Sequence, residues 1–243
     1  MDRVLLTLGG SSDIGLNYIR NYHQRYDVIV AQYYSHKEEL EELQKTIDTK
    51  LIFYQLDLAD EAEVGRFLEY LEEEKLYPNY ILHLPARKTQ LSRIGELDIT
   101  EVELDFDVQV ISIIRIINKL VCFMQEQQFG RICFMLSSVT EKAITFNLSY
   151  MVSKYALLGA MKAFAVELVG KKIMVNAVSP SMVNTKFIDD VPEFVKKKGI
   201  SLNPMRRLAE ATDVTRAIDF FLSDENEYIT GENLLIAGGG IIS

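Results

Sequence analysis

The sequence predicts an α/β fold: one domain built on a doubly wound parallel sheet of about seven strands, with helices on both faces. Three observations point there. Short apolar runs alternate with longer amphipathic ones at the spacing of β-α-β units. A glycine-rich turn, "GGSSDIG" at 9–15, joins the first apolar run to the first amphipathic one. The 243 residues, 48% hydrophobic and 25% charged, suffice for one large core, and no repeat, linker or low-complexity tract divides them.

Strands are expected at 4–8, 28–32, 51–55, 80–84, 131–136, 173–178 and 233–236, each a run of mostly β-branched, leucine or aromatic residues. Helices fall between them, in stretches such as "SHKEELEELQKTI" and "DEAEVGRFLEYLEEEK". Those at 101–127 and 149–170 are apolar around much of their circumference. A helix covering a sheet needs only a stripe, so these two are expected to meet another copy of the chain, in a homodimer or homotetramer.

A net charge of −9 argues against nucleic acid or anionic lipid as partners. No apolar run reaches the length of a membrane span, and the chain opens directly on a strand, so a soluble cytoplasmic protein is expected. Cys122 and Cys133, both in apolar context, read as reduced, buried thiols, and His23, His36 and His83 form no metal-ligand pattern. The lysines of "VKKKG" (195–199) read as a solvated helix face.

The turn at 9–15 suits a diphosphate. Gly9, Gly10 and Gly15 let backbone N–H groups approach, and the helix N-terminus adds partial positive charge. Asp13 is expected to cap that helix, its carboxylate turned onto the helix's own amides, which leaves the other turn amides and the Ser11 and Ser12 hydroxyls for a ligand. After the second strand no acidic residue lies between Val28 and Lys37 to hold an adenine ribose 2′-hydroxyl. Tyr34, Ser35, His36 and Lys37 offer donors suited to a 2′-phosphate, so NADP(H) is the expected cofactor and NAD(H) the alternative. Asp57, after the third strand, either meets the adenine or caps the next turn.

"MLSSVTEKAITFNLSYMVSK" (135–154) carries the chemistry. Tyr150 and Lys154 are one turn apart on a helix, and a neighbouring ammonium lowers a phenol's pKa toward the range of a usable general acid or base. Ser138, at a strand end, is positioned to donate to a carbonyl oxygen.

With these pieces in order, the sequence resembles the short-chain dehydrogenase/reductase family almost end to end. "GGSSDIG" is similar to its T-G-x-x-x-G-x-G loop, with Leu8 for threonine and Asp13 for glycine. "SYMVSK" matches Y-x-x-x-K, and "LSSV" the segment bearing the catalytic serine. "VNAVSPSMVNT" and "YITGENLLIAGGG" are similar to later family stretches, with Ser181 for glycine and Ala237 for an acid. The resemblance implies a Rossmann-type fold and hydride transfer between a nicotinamide and a small carbonyl or hydroxyl substrate. Tyr150 would be the acid or base, Lys154 would hold the nicotinamide ribose, and Ser138 would polarise the carbonyl. Gln109 would stand where the family has a relay asparagine. It further implies cofactor contacts from Gly9, Ser11, Ser12, Asp13, Ile14, Gly15, Tyr34, Ser35, His36, Asp57, Leu58, Leu84, Ala86, Pro180, Val183 and Thr185. A substrate lid is implied around 186–210, with Phe187, Ile188, Phe194 and Met205 walling a pocket and Arg206 and Arg207 reaching substrate or phosphate, unless the aromatics are core and the arginines solvated. "LPAR" (84–87) departs from the family's N-N-A-G and puts Arg87 beside the cofactor. Ser138 lies about one residue closer to Tyr150 than is usual. Gln109, "LPAR" and Ala237 leave open a catalytically silent, nucleotide-binding member with a regulatory role.

Overall fold

A computed structural model describes residues 2–88 and 91–242. Seven parallel strands form one sheet: β1 (Val4–Leu8), β2 (Val28–Tyr33), β3 (Lys50–Gln55), β4 (Tyr80–His83), β5 (Gly130–Met135), β6 (Ile173–Pro180) and β7 (Asn233–Ile236). Their order across the sheet is β3-β2-β1-β4-β5-β6-β7. The expected strands are all present, with ends within two residues.

The described residues form eight α-helices: α1 (Asp13–Tyr22), α2 (Lys37–Gln44), α3 (Glu61–Glu73), α4 (Ile99–Phe106), α5 (Ser112–Gln127), α6 (Leu148–Leu168), α7 (Glu193–Leu202) and α8 (Ala211–Leu222). Leu16, Leu40 and Val214 of α1, α2 and α8 join one apolar cluster, while Phe67, Ile113 and Leu157 of α3, α5 and α6 join the other. With both faces covered, β1 and β5 are buried along their whole length, which is why they read as mostly apolar runs, with Thr7 and Arg131 as buried polar exceptions, rather than as alternation. Local chemistry sets the helix starts: Asp60 accepts from the Glu63 amide at α3, and Asp98 from the Thr100 amide at α4.

The expected helix at 101–127 is continuous but not uniform. α4 passes into α5 through a π-helical turn, Asp107–Ile111, a widening that often marks a functional site. Cys133 is buried as expected. Cys122 is exposed: it lies on the outward side of α5, its thiol donating to the Lys119 carbonyl. Among the described residues no helix is long and apolar enough to cross a membrane.

The strand order reverses direction between β1 and β4. Ligands of such sheets bind outside the C-terminal ends of the strands at that switch point. The expected cofactor-binding positions from Gly9 to Ala86 follow the first four strands along this edge, Pro180 ends β6, Val183 and Thr185 come after it, and Lys154 lies on α6.

Candidate active site

The glycine turn after β1 is rigid by construction. Gly9 has φ +74°, a conformation that side-chain-bearing residues rarely adopt, and a Cβ on Gly15 would lie 2.7 Å from the Gly10 carbonyl oxygen. Gln32, which the sequence reading passed over, staples the turn in place. Its side-chain oxygen accepts from the Gly9 amide at 2.8 Å, its carbonyl accepts from the Gly10 amide, and its amide nitrogen donates to Leu56. The amides of Asp13 and Ile14 open the first turn of α1, where a helix leaves its first N–H groups unpaired. Glycines at 9, 10 and 15 and the free first-turn amides give the turn the chemistry of a diphosphate site.

Asp13 is not the cap expected of it. Ser12 caps α1, its hydroxyl accepting from the Gly15 amide at 3.1 Å. The Asp13 carboxylate instead accepts from the backbone N–H of Lys186 at 2.6 Å, and the Lys186 ammonium pairs with Glu39 at 2.9 Å. The reason is reach. Ser12 has the shorter side chain and already sits over the helix mouth, which frees Asp13 to span the cleft to the segment after β6.

Beyond β2, the Ser11 hydroxyl donates to the Ser35 carbonyl, and the Ser35 hydroxyl meets Nδ1 of His36 at 2.8 Å. Tyr34 is two-thirds exposed, beside an open pocket that Gln55, Asp57 and Arg66 also line. Lys37 is engaged by Glu41 at 2.8 Å and lies over the Phe53 ring. Asp57 takes the capping role, one carboxylate oxygen accepting from the Ala59 amide at 2.9 Å, and Leu58 is buried behind it.

After β4, Leu84 is buried and Ala86 half-buried. Arg87 does not occupy the cofactor's side of the loop: it turns to α4, pairing with Glu101 at 3.0 Å and with the buried Asp105 at 3.4 Å. Asp105 also receives the Ser149 hydroxyl, one residue before Tyr150. Desolvation raises the Asp105 pKa against the lowering effect of these two partners.

Tyr150 and Lys154, the expected reactive pair, sit in the first two turns of α6. Lys154 is buried, donates to the Met135 carbonyl at 2.9 Å and places its nitrogen 5.4 Å from the centroid of the Tyr150 ring. Burial brings its pKa down to about 7, although the Asp105 charge works the other way. The Tyr150 pKa is raised by burial, and a hydrogen bond from Ser137 lowers it only partly. The downward shift expected from the lysine is therefore not the outcome in this state of the chain: both groups are desolvated, and desolvation penalises each one's charged form.

The serine facing Tyr150 is Ser137, not Ser138. Ser137 leaves β5 in extended conformation, while Ser138 begins a 3₁₀ turn and directs its carbonyl to the Glu141 and Lys142 amides. Ser137 is also one residue further from Tyr150, which removes the apparent shortening of the loop. The short spacing from Ser138 to Tyr150 was the available signal.

Gln109 is fully buried on the π-helical turn. Pro180 ends β6, Val183 bridges to Ala209, and the Thr185 hydroxyl donates to the Val183 carbonyl at 3.4 Å. The segment that follows lies across the site, with the Phe187 ring centroid 6.4 Å from that of Tyr150 and Lys88 paired to Asp190 at 2.8 Å. Ile188 is buried, whereas Phe194 and Met205 are exposed. Arg207 pairs with Asp213 and Arg206 donates to the Ser201 carbonyl, so neither is aimed at the site. Ala237 is buried after β7 and accepts from the Asn203 side chain at 3.0 Å.

Residues 10–240 match the family model described as enoyl-(acyl carrier protein) reductase. The chain is 27% identical over 245 residues to the 3-oxoacyl-acyl-carrier-protein reductase FabG of Thermotoga maritima, covering 99% of this chain and 98% of that one. Among solved structures, ElxO with NADP bound is similar at a TM-score of 0.88 and 24% identity, covering 99% of each chain. A 4-hydroxyisoleucine dehydrogenase complexed with NADH is similar at 0.90 and 22%, covering 98% of each. At those identities the structural likeness speaks for the fold. The family match spans nearly all of the sequence and the strand order agrees with it, so this chain belongs to the short-chain dehydrogenase/reductase family of oxidoreductases.

Proposed function

We propose that this chain is an NADP(H)-dependent reductase that interconverts a small ketone or aldehyde and the corresponding alcohol, with Ser137, Tyr150 and Lys154 as its working residues. The observation that carries the reading is the meeting of these three groups at the end of β5, on the same sheet edge as the glycine turn, with Ser137 and Lys154 buried and Tyr150 half-buried beside them. The turn amides and the Ser12–Gly15 stretch would hold the diphosphate, the groups from Tyr34 to His36 the adenosine side, and Lys154 and Thr185 the nicotinamide end. The bound nicotinamide supplies or takes the hydride. Tyr150, its phenol kept protonated by burial, gives its proton to the carbonyl oxygen, and Ser137 donates a hydrogen bond to that oxygen. Phe187, exposed on its outer side, lies beside the Tyr150 ring at the edge of the reacting centre. The cytoplasm is the proposed location. Homo-oligomer formation would cover the outward side of α6, where Val152, Tyr155 and Val166 are exposed.

Calorimetric titration with NADPH and, separately, NADH tests the cofactor assignment. Micromolar affinity for NADPH with much weaker NADH is expected. The reverse preference would move the assignment to NAD(H), and binding of neither would overturn the oxidoreductase reading.

The two serines separate cleanly. Ser137→Ala is expected to lower kcat/KM by about a hundredfold, the usual cost of losing one donor to a developing oxyanion, and Ser138→Ala by less than about threefold. Steady-state kinetics on any ketone that turns over decides it, and the opposite ranking would return the role to Ser138.

A further inference from the structure

One buried charge close to the site takes no part in the proton transfer. Asp105 is fully buried on α4, and a carboxylate so placed costs free energy unless it is paired and hydrogen-bonded. Its pairing is two-sided. One oxygen meets Arg87, from the loop after β4, at 3.4 Å, and the other accepts the Ser149 hydroxyl from the first turn of α6. Arg87 also reaches Glu101 at 3.0 Å, so its guanidinium spans one full turn of α4. The first turn of α6 has no acidic residue of its own, and Asp105 brings a negative charge to that helix end from another element.

Contacts continue beyond both ends of this run. Leu84 and Pro85 open the Arg87 loop and lie against the glycine turn: a Cβ on Gly9 would stand 3.4 Å from the Leu84 Cβ and from the Pro85 nitrogen. At the other end Ser149 is followed directly by Tyr150, whose ring packs beside Phe187. An unbroken path therefore leads from the cofactor turn, through Arg87 and Asp105, to the residue next to the proton donor. An apolar side chain at 105 would fill the space between α4 and α6 without burying a charge. Charge-assisted hydrogen bonds do what apolar packing does not: they fix direction as well as distance. The same carboxylate favours the charged form of Lys154 against burial.

We propose that Asp105 is a positioning residue: held by Arg87 on one side and bonded to Ser149 on the other, it fixes the first turns of α6 against the loop after β4 and so sets where the Tyr150 ring lies in the cleft. The effect on turnover rests on the oxidoreductase reading; the placement of the ring does not.

Two substitutions in the full chain test it. With NADPH and a ketone that turns over, Ser149→Ala is expected to lower kcat about tenfold while both KM values stay within about twofold, since misplacing a reacting group costs rate before it costs binding. Ser149→Thr, which keeps the hydroxyl, should restore most of the rate. Arg87→Met should also lower kcat, and the double variant should lose less than the product of the two single losses, because both act through Asp105. NMR of tyrosine-labelled, cofactor-free protein follows the Tyr150 ring, its signal assigned by loss in Tyr150→Phe. Arg87→Met should move that signal in the wild-type background and leave it in place in the Ser149→Ala background, where the link is already cut. A structural role alone would lower the melting temperature of folded variants and leave kcat and the ring signal unmoved, and that result overturns the proposal. So does a signal that Arg87→Met moves equally in both backgrounds. Should Arg87→Met fail to fold, Asp105→Asn takes its place: a moved ring signal with lowered kcat supports the proposal, and an unmoved signal rejects it. A wild-type chain that binds neither NADPH nor NADH would sink the functional reading, while the cofactor-free ring signal would still decide whether Asp105 places Tyr150.

Discussion

Tyr150→Phe is expected to lower turnover by about a thousandfold or more, with fold and NADPH affinity retained. In the proposed mechanism the phenol is the proton donor to the carbonyl, and general acid catalysis contributes roughly 10²–10⁴ in rate. Phenylalanine preserves the ring that packs against Phe187 and beside Lys154. What it removes is the proton and the partner of Ser137. Loss of one hydrogen bond of that kind costs about 1 kcal/mol, too little to unfold a domain of this size. The measurement pairs kcat with a calorimetric NADPH titration of the same variant. Turnover within tenfold of wild type would remove Tyr150 from the role of acid, whatever the affinity showed.

Lys154→Met should act on rate, affinity and stability together. In the proposed mechanism the ribose would lose its donor and the Tyr150 ring the cation beside it, so kcat is expected to fall about a hundredfold or more and NADPH affinity by about tenfold. Stability moves the other way. A free lysine titrates near 10.5, and this one near 7 in the folded chain. Between those values the unfolded chain holds a proton that the folded chain has shed, so the native protein gains stability as pH rises from about 7 toward 10.5. Below about 7 both forms are charged and the burial penalty is present in full, on the order of 5 kcal/mol for a shift of this size. Methionine fills the same volume uncharged. Urea unfolding across pH 6.5–9.5 should show a rising curve for wild type and a higher, flatter one for the variant. Parallel curves would mean that Lys154 keeps its ordinary proton affinity in the fold.

Much of this architecture was legible in the chain. Seven apolar runs and a glycine turn are local signals, since each depends on residues within a few positions of one another, and they placed the strands and the cofactor edge. The Tyr150–Lys154 spacing is local too. Harder to read were properties set by distant partners. Nothing near Arg87 in sequence says that Asp105 will draw it away from the loop, and Gln32 acts on Gly9 from the neighbouring strand. The Ser137–Ser138 pair defeats letter matching, because adjacent serines look alike until one leaves the strand extended and the other enters a turn. The Tyr150 and Lys154 proton affinities depend on burial, which no spacing reveals. Asp105 and Gln109 belong to the same class: their weight comes from being enclosed.

Asp13 has a consequence for anyone redesigning this chain. Scored by letters, it is a defect in a glycine motif, and consensus engineering would repair it first. In the folded protein its carboxylate is the fastening between the first loop and the backbone of Lys186, 173 residues later in the chain. Writing the family's glycine back into position 13 would perfect the motif and unfasten the roof of the cleft, so the most conventional-looking version of this sequence is not its best-built one.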